Sequence, residues 1–412
     1  MEYMKNILTL GVVLAVSFFI TGVAVAVQEE PTRVSGQILI KFKEGISPKA
    51  VEQELGKNRG KILSKIDKLG TLVVNVPRGA EDKIAEALSK NPLVEYAEPD
   101  YLASALNHPP ADTYFGNQWG LENNGQDIKG SVGTIDADID APSAWHFSTG
   151  WNGTSTKVAI LDSGIDQDHE DLSLKIVLQK NFTGSPTADD LYGHGTHVGG
   201  TVAAITNNNI GVAGGCPDCV LMNGKVLGDN GSGAYSWIAN GIVWAADNGA
   251  KVINLSLGGN SPSKTLENAV NYAWSKGVVV VAAAGNCGCR GKIYPAAYKN
   301  VIAVAATNNQ DKKASFSSYG AKWVDVAAPG ENIFSTFPNH PYAINKSLNY
   351  DYGSGTSMAT PMTAAAAALI WSTPYGTSAS AVRSRLETTA DKISGTGTYW
   401  SAGRVNAFSA TQ

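Results

Sequence analysis

The sequence predicts an α/β protein: a mainly parallel sheet with helices on both faces, preceded by a small βαββαβ unit. Three observations predict it. Uninterrupted apolar runs of buried parallel-strand type recur at Val158–Leu161, Val220–Leu227, Val252–Leu257, Val278–Ala283 and Val301–Ala305. Helical stretches lie between them at His194–Ile205, Tyr235–Asp247 and Leu266–Trp274, and such alternation builds right-handed βαβ crossovers. Charge density divides the chain: 24 of the 80 residues 28–107 are charged, against 42 of the 305 residues 108–412.

The chain has 412 residues, enough for two or three ordinary domains. Hydrophobic residues are 43% and charged residues 17%, which excludes a disordered chain. A net charge of -4 excludes the basic footprint of a nucleic-acid binder. Ile7–Val27 is apolar apart from Thr9, Ser17 and Thr21; Lys5 precedes it, and Ala24-Val25-Ala26 offers small residues for cleavage. That pattern predicts a secretory signal peptide over residues 1–26, hence a secreted, extracellular protein with no membrane attachment after cleavage. An uncleaved anchor is the competing reading, since the stretch is long enough to span a bilayer.

Residues 27–107 form the first unit. Gln37–Lys43 alternates apolar and polar residues and reads as a strand. Ser47-Pro48 supplies an N-cap and a first-turn proline for a helix through Leu55. Leu72–Val76 is a strand closed by Pro77, Ala80–Lys90 an amphipathic helix, and Val94–Tyr96 a short last strand. Strand, helix, strand, strand, helix, strand is the split βαβ, ferredoxin-like arrangement. Tyr101–Pro110 carries no regular pattern and reads as a linker. Residues 108–412 form the second unit, where sites are expected outside the carboxyl ends of the strands.

Three short segments stand at element ends. Asp162 follows the first buried strand in Leu161-Asp162-Ser163-Gly164. His194 opens a helix in Gly193-His194-Gly195-Thr196-His197-Val198. Ser357 opens an alanine-rich helix, running to Ala368, in Gly355-Thr356-Ser357-Met358-Ala359-Thr360-Pro361. A serine hydroxyl needs a neutral imidazole to take its proton. A buried carboxylate fixes the imidazole tautomer and stabilises the imidazolium. A helix N-terminus adds amide donors and a positive dipole end, which suit an oxyanion. Asn286, after a buried strand in Ala283-Ala284-Gly285-Asn286, offers a second donor. Singly, each of these residues reads as a cap, a turn residue or a structural histidine. Together, flanked by glycines, they read as a nucleophilic hydrolase. The order Asp, His, Ser excludes the esterase elbow, which runs Ser, acid, His.

On these segments the chain resembles the subtilisin-like serine proteases, and most closely their thermitase-like branch. The resemblance covers roughly residues 110–412. It implies a subtilisin-like fold and an endopeptidase that cuts peptide bonds through an acyl-enzyme. It also implies Asp162, His194 and Ser357 as the triad, in subtilisin's own order, and Asn286 as the oxyanion donor. The family's serine motif continues Pro-His-Val-Ala-Gly; here it continues Pro361-Met362-Thr363-Ala364-Ala365. The lost histidine is not catalytic in the family, so the change bears on helix packing and not on chemistry.

The resemblance further implies a substrate cleft. Gly231-Ser232-Gly233 and Ser256-Leu257-Gly258 match its two edges, and an extended peptide would add as a strand between them. Ordinary glycine turns are the competing reading for both. Ala283-Ala284-Gly285 matches the wall of the pocket for the residue before the cut, with Ile293 near its floor. Protein and peptide substrates, broad specificity and an apolar preference follow. Residues 205–212 look like the family's tight calcium loop. Asn208 and the carbonyls of Ile205, Ile210 and Val212, with carboxylates from Asp112 and Asp171, would hold a structural Ca2+. An Asn-rich turn is the competing reading. A second family calcium site lacks its acid here, where Asn181 stands, and its spacing is shorter.

The first unit resembles the family's inhibitory propeptide. The resemblance implies an intramolecular inhibitor and folding assistant, with Glu98-Pro99-Asp100-Tyr101-Leu102 entering the cleft and a self-processing cut near Ala103–Asn107. A parallel sheet assembled from distant strands folds slowly, which a removable template offsets. A permanent accessory domain is the alternative for this unit, and a non-catalytic peptide-binding relative is the alternative for the whole chain. The protein is expected to be a monomer.

The four cysteines, Cys216, Cys219, Cys287 and Cys289, permit three disulfide connectivities. Secretion favours a local Cys216–Cys219 bridge over a redox motif or half a zinc site. Beside Asn286, a strained Cys287–Cys289 bridge competes with free thiols. His194 and His197 lack the glutamate of a zinc-binding His pair, so His197 reads as structural.

Overall fold

The computed structural model describes residues 33–101 and 109–412. The expected signal peptide and the expected processing segment, Ala103–Asn107, lie outside the described residues. Two compact units meet at the 107/108 boundary in the chain.

In the first unit β1 (Arg33–Phe42), α1 (Pro48–Lys57), β2 (Lys61–Ile66), β3 (Thr71–Asn75), α2 (Glu81–Ser89) and β4 (Val94–Tyr101) follow in order. The strands pair antiparallel as β2-β3-β1-β4. Ser47 Oγ accepts from Ala50 N at 3.4 Å and Pro48 takes the first turn, the arrangement that suits a residue without an N–H. Leu55, Ala85 and Leu88 of the helices bury against Ile38, Ile40, Val74 and Val94. No apolar alternation marks β2, because every one of its residues is exposed. β4 runs on past the expected Tyr96 to Tyr101 and takes up the start of the expected linker. Its Pro99 is tolerated because β4 is an edge strand.

The second unit begins with a small hairpin, β5 (Asp127–Ile128) and β6 (Ser131–Val132), and the short α3 (Ala141–Ala144). Then come β7 (Lys157–Asp162), β8 (Ile176–Asn181), α4 (His194–Ala203), β9 (Val220–Lys225), α5 (Tyr235–Asp247) and β10 (Val252–Leu255). α6 (Lys264–Ser275), β11 (Val279–Ala283), β12 (Ile302–Thr307) and β13 (Val326–Pro329) follow. A second hairpin, β14 (Ile333–Thr336) and β15 (Tyr350–Gly353), leads into α7 (Thr356–Trp371), α8 (Ala379–Thr388) and α9 (Ala407–Thr411). β7 to β13 form one parallel sheet in the order β13-β12-β11-β10-β7-β9-β8. The order reverses at β7, and ligands of open α/β sheets bind at the carboxyl ends beside such a switch point.

Strand alternation sorts the core into two layers. Val158, Ile160, Val279 and Val281 face Val198 and Val202 of α4 and the Ala364–Ile370 run of α7. Ala159, Leu161, Val280 and Ala282 face Ile242 of α5 and Val270 of α6. Cover on both faces is why these strands read as unbroken apolar runs. Met362, where the serine motif departs from the family's, is 2% exposed and belongs to the same core. Two sheet strands escape the sequence pattern. β8 is an edge strand with mostly exposed side chains, and β13 is only Val-Ala-Ala-Pro.

Both cysteine pairs are bridged, Cys216 to Cys219 and Cys287 to Cys289. The free-thiol reading of the second pair is therefore overturned. Gly288, at φ +62°, turns the chain so that the flanking Cα atoms lie 5.2 Å apart, inside bridging range. No helix among the described residues is long and apolar enough to cross a membrane.

Candidate active site

Asp162 ends β7 and is fully buried. Its Oδ1 accepts from Ser163 N at 2.8 Å and from His194 Nδ1 at 2.7 Å. His194 is the first residue of α4. The preceding Gly193 has φ +103°, and a Cβ there would meet the Tyr342 ring at 2.2 Å, so conformation and space both call for glycine. Glycine leaves the helix start without a cap of its own, and Asp190 supplies one. Its Oδ1 accepts from Gly193 N at 2.7 Å and its Oδ2 from Thr196 N at 2.8 Å. Such a cap stabilises a helix by about 1 kcal/mol. Ser163 Oγ donates to Asp190 and accepts from Gly195 N, tying the end of β7 to the start of α4. Burial opposes charge on His194, but the Asp162 carboxylate outweighs it and leaves the imidazole pKa above its usual value.

Ser357 is the second residue of α7. Its Oγ donates to the Ser256 carbonyl at 3.1 Å, while Ser256 Oγ donates to the Ser357 carbonyl at 2.7 Å. Pro361 explains the second bond. Proline has no N–H to give the carbonyl four residues earlier, and Ser256 fills that vacancy in the helix ladder. Asn254 Nδ2 donates to Ser256 Oγ at 3.0 Å and holds it. Asn286 follows β11. Its Oδ1 accepts from Thr356 N at 2.9 Å and Thr356 Oγ1 at 3.0 Å. Those bonds fix which end of the amide is oxygen, and leave the exposed Nδ2 as a donor beside Gly355. Among the described residues Ser357 makes no hydrogen bond to His194; catalytic bonds of this type commonly tighten only with substrate in place.

A cleft of about 410 Å3 lies at these strand ends. His194, Gly231, Ser232, Gly233, Ser256, Leu257 and Gly258 all line it, so both expected substrate edges meet the imidazole there. Ile293 stands between Gly258 and Gly285: a Cβ on the first would lie 2.3 Å from its Cγ2, and on the second 2.7 Å from its Cγ1. Its side chain thus fills the space between these two glycines. Tyr192, Leu227, Tyr235 and Ile238 also line the cleft, and no motif marks them in the sequence. Their one signal in the sequence is a position within a few residues of His194 or Gly231–Gly233.

The sequence profile described as the Subtilase family matches residues 153–405. The chain belongs to the subtilase family. A second profile, the fervidolysin N-terminal prodomain, matches residues 21–100. The Thermophilic serine proteinase of Bacillus sp. (strain AK1) is 42% identical over 384 residues, 93% of this chain and 88% of that protein. Thermitase of Thermoactinomyces vulgaris is 52% identical over 275 residues, 66% of this chain and 94% of that protein. A protease structure from Pseudoalteromonas arctica aligns with a TM-score of 0.65 at 31% identity, covering 74% of this chain and 99% of that one. This subtilase is accordingly a subtilisin-like serine endopeptidase with an N-terminal prodomain, as the motifs predict.

Away from the cleft, the subtilase brings Asp112, Asp171 and residues 205–212 together. Asp112 accepts from Asn207 N at 2.9 Å and Asn208 N at 3.4 Å. Asp171 accepts from Asn208 Nδ2 at 2.7 Å and Val212 N at 2.9 Å. Both carboxylates are buried, and no ion pair to either forms among the described residues. Burial, with the neighbouring Asp112 charge among lesser causes, pushes the Asp171 pKa up to about 6. Two buried carboxylates in an oxygen-rich loop form a donor set suited to a hard dication, with the carbonyls of Ile205, Ile210 and Val212 available from the same loop. His197 donates from Nε2 to the Ile333 carbonyl at 3.0 Å, and burial lowers its pKa to about 3, so it stays neutral as a structural group.

Proposed function

We propose that this subtilase is a secreted, self-processing endopeptidase of broad specificity, with Asp162, His194 and Ser357 as its triad. The observation that carries the proposal is the 2.7 Å bond from His194 to buried Asp162 at the rim of the cleft that Ser256 shares. A peptide lies extended between Gly231–Gly233 and Ser256–Gly258, held by main-chain bonds that are indifferent to most side chains. Ser357 Oγ leaves the Ser256 carbonyl and attacks the peptide carbon, giving its proton to His194 Nε2. Asp162 stabilises the imidazolium that forms. The new oxyanion receives bonds from Asn286 Nδ2 and the amide at the start of α7. His194 then protonates the leaving amine, and water releases the acyl group by the reverse path.

Ile293 makes the pocket before the cut shallow and apolar, with no charge to select Lys or Arg. The prodomain serves as an intramolecular inhibitor until cleaved from the protease. Asp112, Asp171, Asn208 and the loop carbonyls of Ile205, Ile210 and Val212 hold a structural calcium, whose charge offsets the two buried carboxylates. Fluorophosphonate labelling, with N-terminal sequencing of the secreted protein, tests the proposal. Ser357 should carry the label, and the Ser357→Ala chain should keep its prodomain. Label elsewhere, or normal processing in Ser357→Ala, would overturn it.

A further inference from the structure

The loop between β14 and β15 carries His340 to two carboxylates that play no part in the chemistry above. Asp166 lies four residues beyond Asp162, and Asp189 five residues before His194. One ligand atom from each of Asp166, Asp189 and His340 falls within 4.8 Å of the other two. We propose that these three side chains bind one divalent transition-metal cation of the zinc class, at a site separate from the calcium loop.

The orientation of His340 carries the argument. Its Nδ1 donates to the Pro341 carbonyl at 3.1 Å. That bond occupies the Nδ1 proton and leaves Nε2 as the ring nitrogen available to an ion, as in histidines that ligate metals. Nε2 is buried, has no hydrogen-bond partner among the described residues, and lies 3.5 Å from Asp189 Oδ2. Nε2 set beside two carboxylates calls for a positive charge between them, which a bound cation supplies and for which a proton on Nε2 is the competing source. The nearby ammonium of Lys225 is committed elsewhere, to the Ser163 and Asp189 carbonyls and the Asp229 carboxylate. The carboxylates are held by backbone donors: Asp166 by Asn339 N at 2.8 Å and Asp168 N at 3.2 Å, Asp189 by Asp190 N at 2.9 Å.

The donor set identifies the ion class. Calcium and magnesium take oxygen ligands, whereas one imidazole with two carboxylates suits zinc and its neighbours. Ligand bonds of about 2.0–2.2 Å would draw the three atoms together around one centre. A bound ion would fasten the segment after Asp162 to the segment before His194, and both to the loop leading toward Ser357. Its expected effect is on stability and not on the chemical step.

The test uses the full chain carrying Ser357→Ala, which prevents self-digestion, in saturating calcium. Zinc is titrated by equilibrium dialysis and thermal shift, and cobalt by its visible absorption. One zinc should bind and raise the melting temperature. His340→Gln and Asp189→Asn should each weaken that binding by roughly tenfold or more, abolish the thermal shift, and change the cobalt spectrum. Equal zinc binding in the parent and both variants would place the ion elsewhere and overturn the proposal. No zinc binding in the parent would assign Nε2 a proton in an imidazolium–carboxylate pair, which overturns it equally.

Discussion

Shortening Ile293 to glycine should deepen the pocket proposed above for the residue before the cut. Its side chain occupies the gap between Gly258 and Gly285, with Cγ2 2.3 Å from where a Cβ on one would lie and Cγ1 2.7 Å from where a Cβ on the other would lie. Those contacts leave little depth for an aromatic ring. Removing the branched side chain opens the space between two glycines, whose walls carry no Cβ to close it again. Burying a phenylalanine side chain is worth about 1.5–3 kcal/mol, and each 1.4 kcal/mol is tenfold. Ile293→Gly should therefore raise kcat/KM for a Phe substrate, relative to its Ala counterpart, by roughly tenfold to a hundredfold. The assay is a set of peptide p-nitroanilides differing only in the residue before the cut, with fluorophosphonate titration to count folded sites. An unchanged Phe-to-Ala ratio in fully titratable enzyme would show that Ile293 does not set the depth.

Three further outcomes follow from the same geometry. Asn286→Ala should lower kcat by about a hundred- to a thousandfold with little change in KM, a range taken from subtilisin's own oxyanion asparagine; a matching rise in KM would point to ground-state binding instead. His194 must be neutral to act as base, and the Asp162 carboxylate holds its pKa above the ordinary 6.5. The acidic limb of the kcat/KM profile should accordingly have its midpoint above pH 6.5, with activity lost as pH falls through it; a midpoint below that value would contradict the assignment. Calcium at a hundredfold over its Kd should stabilise the fold by about 2.7 kcal/mol. A melting temperature indifferent to chelator, or equally sensitive in Asp171→Asn, would argue against the loop at residues 205–212.

The parts of this fold that a sequence reveals are those whose burial is complete. β7, β9, β10, β11 and β12 are covered on both faces, so hydrophobicity alone traces them. β2 and β8 present their side chains outward, and nothing in their composition separates a strand from a loop. The same contrast governs the site. Asp162, His194, Ser357 and Asn286 sit at element ends amid glycines whose positions the backbone requires, so short motifs betray them. Tyr192, Tyr235 and Ile238 enter the cleft only because turns and α5 bring them there. Asp166, Asp189 and His340 are single residues on three distant segments, and only folding makes them a group. The Cys287–Cys289 bridge depends on a glycine turn between its halves, which the spacing of two cysteines does not disclose.

The parallel sheet pairs Val158 with Val252 on one side and with Leu221 on the other. Both partners lie far along the chain, Leu221 63 residues and Val252 94 residues beyond Val158. A copy whose sheet has not yet closed is loose polypeptide, the very material that finished copies cut. Closure has to outrun cannibalism. Selection on such a protein acts on how briefly it is edible, and rewards any element that shortens that interval even if the element is later thrown away.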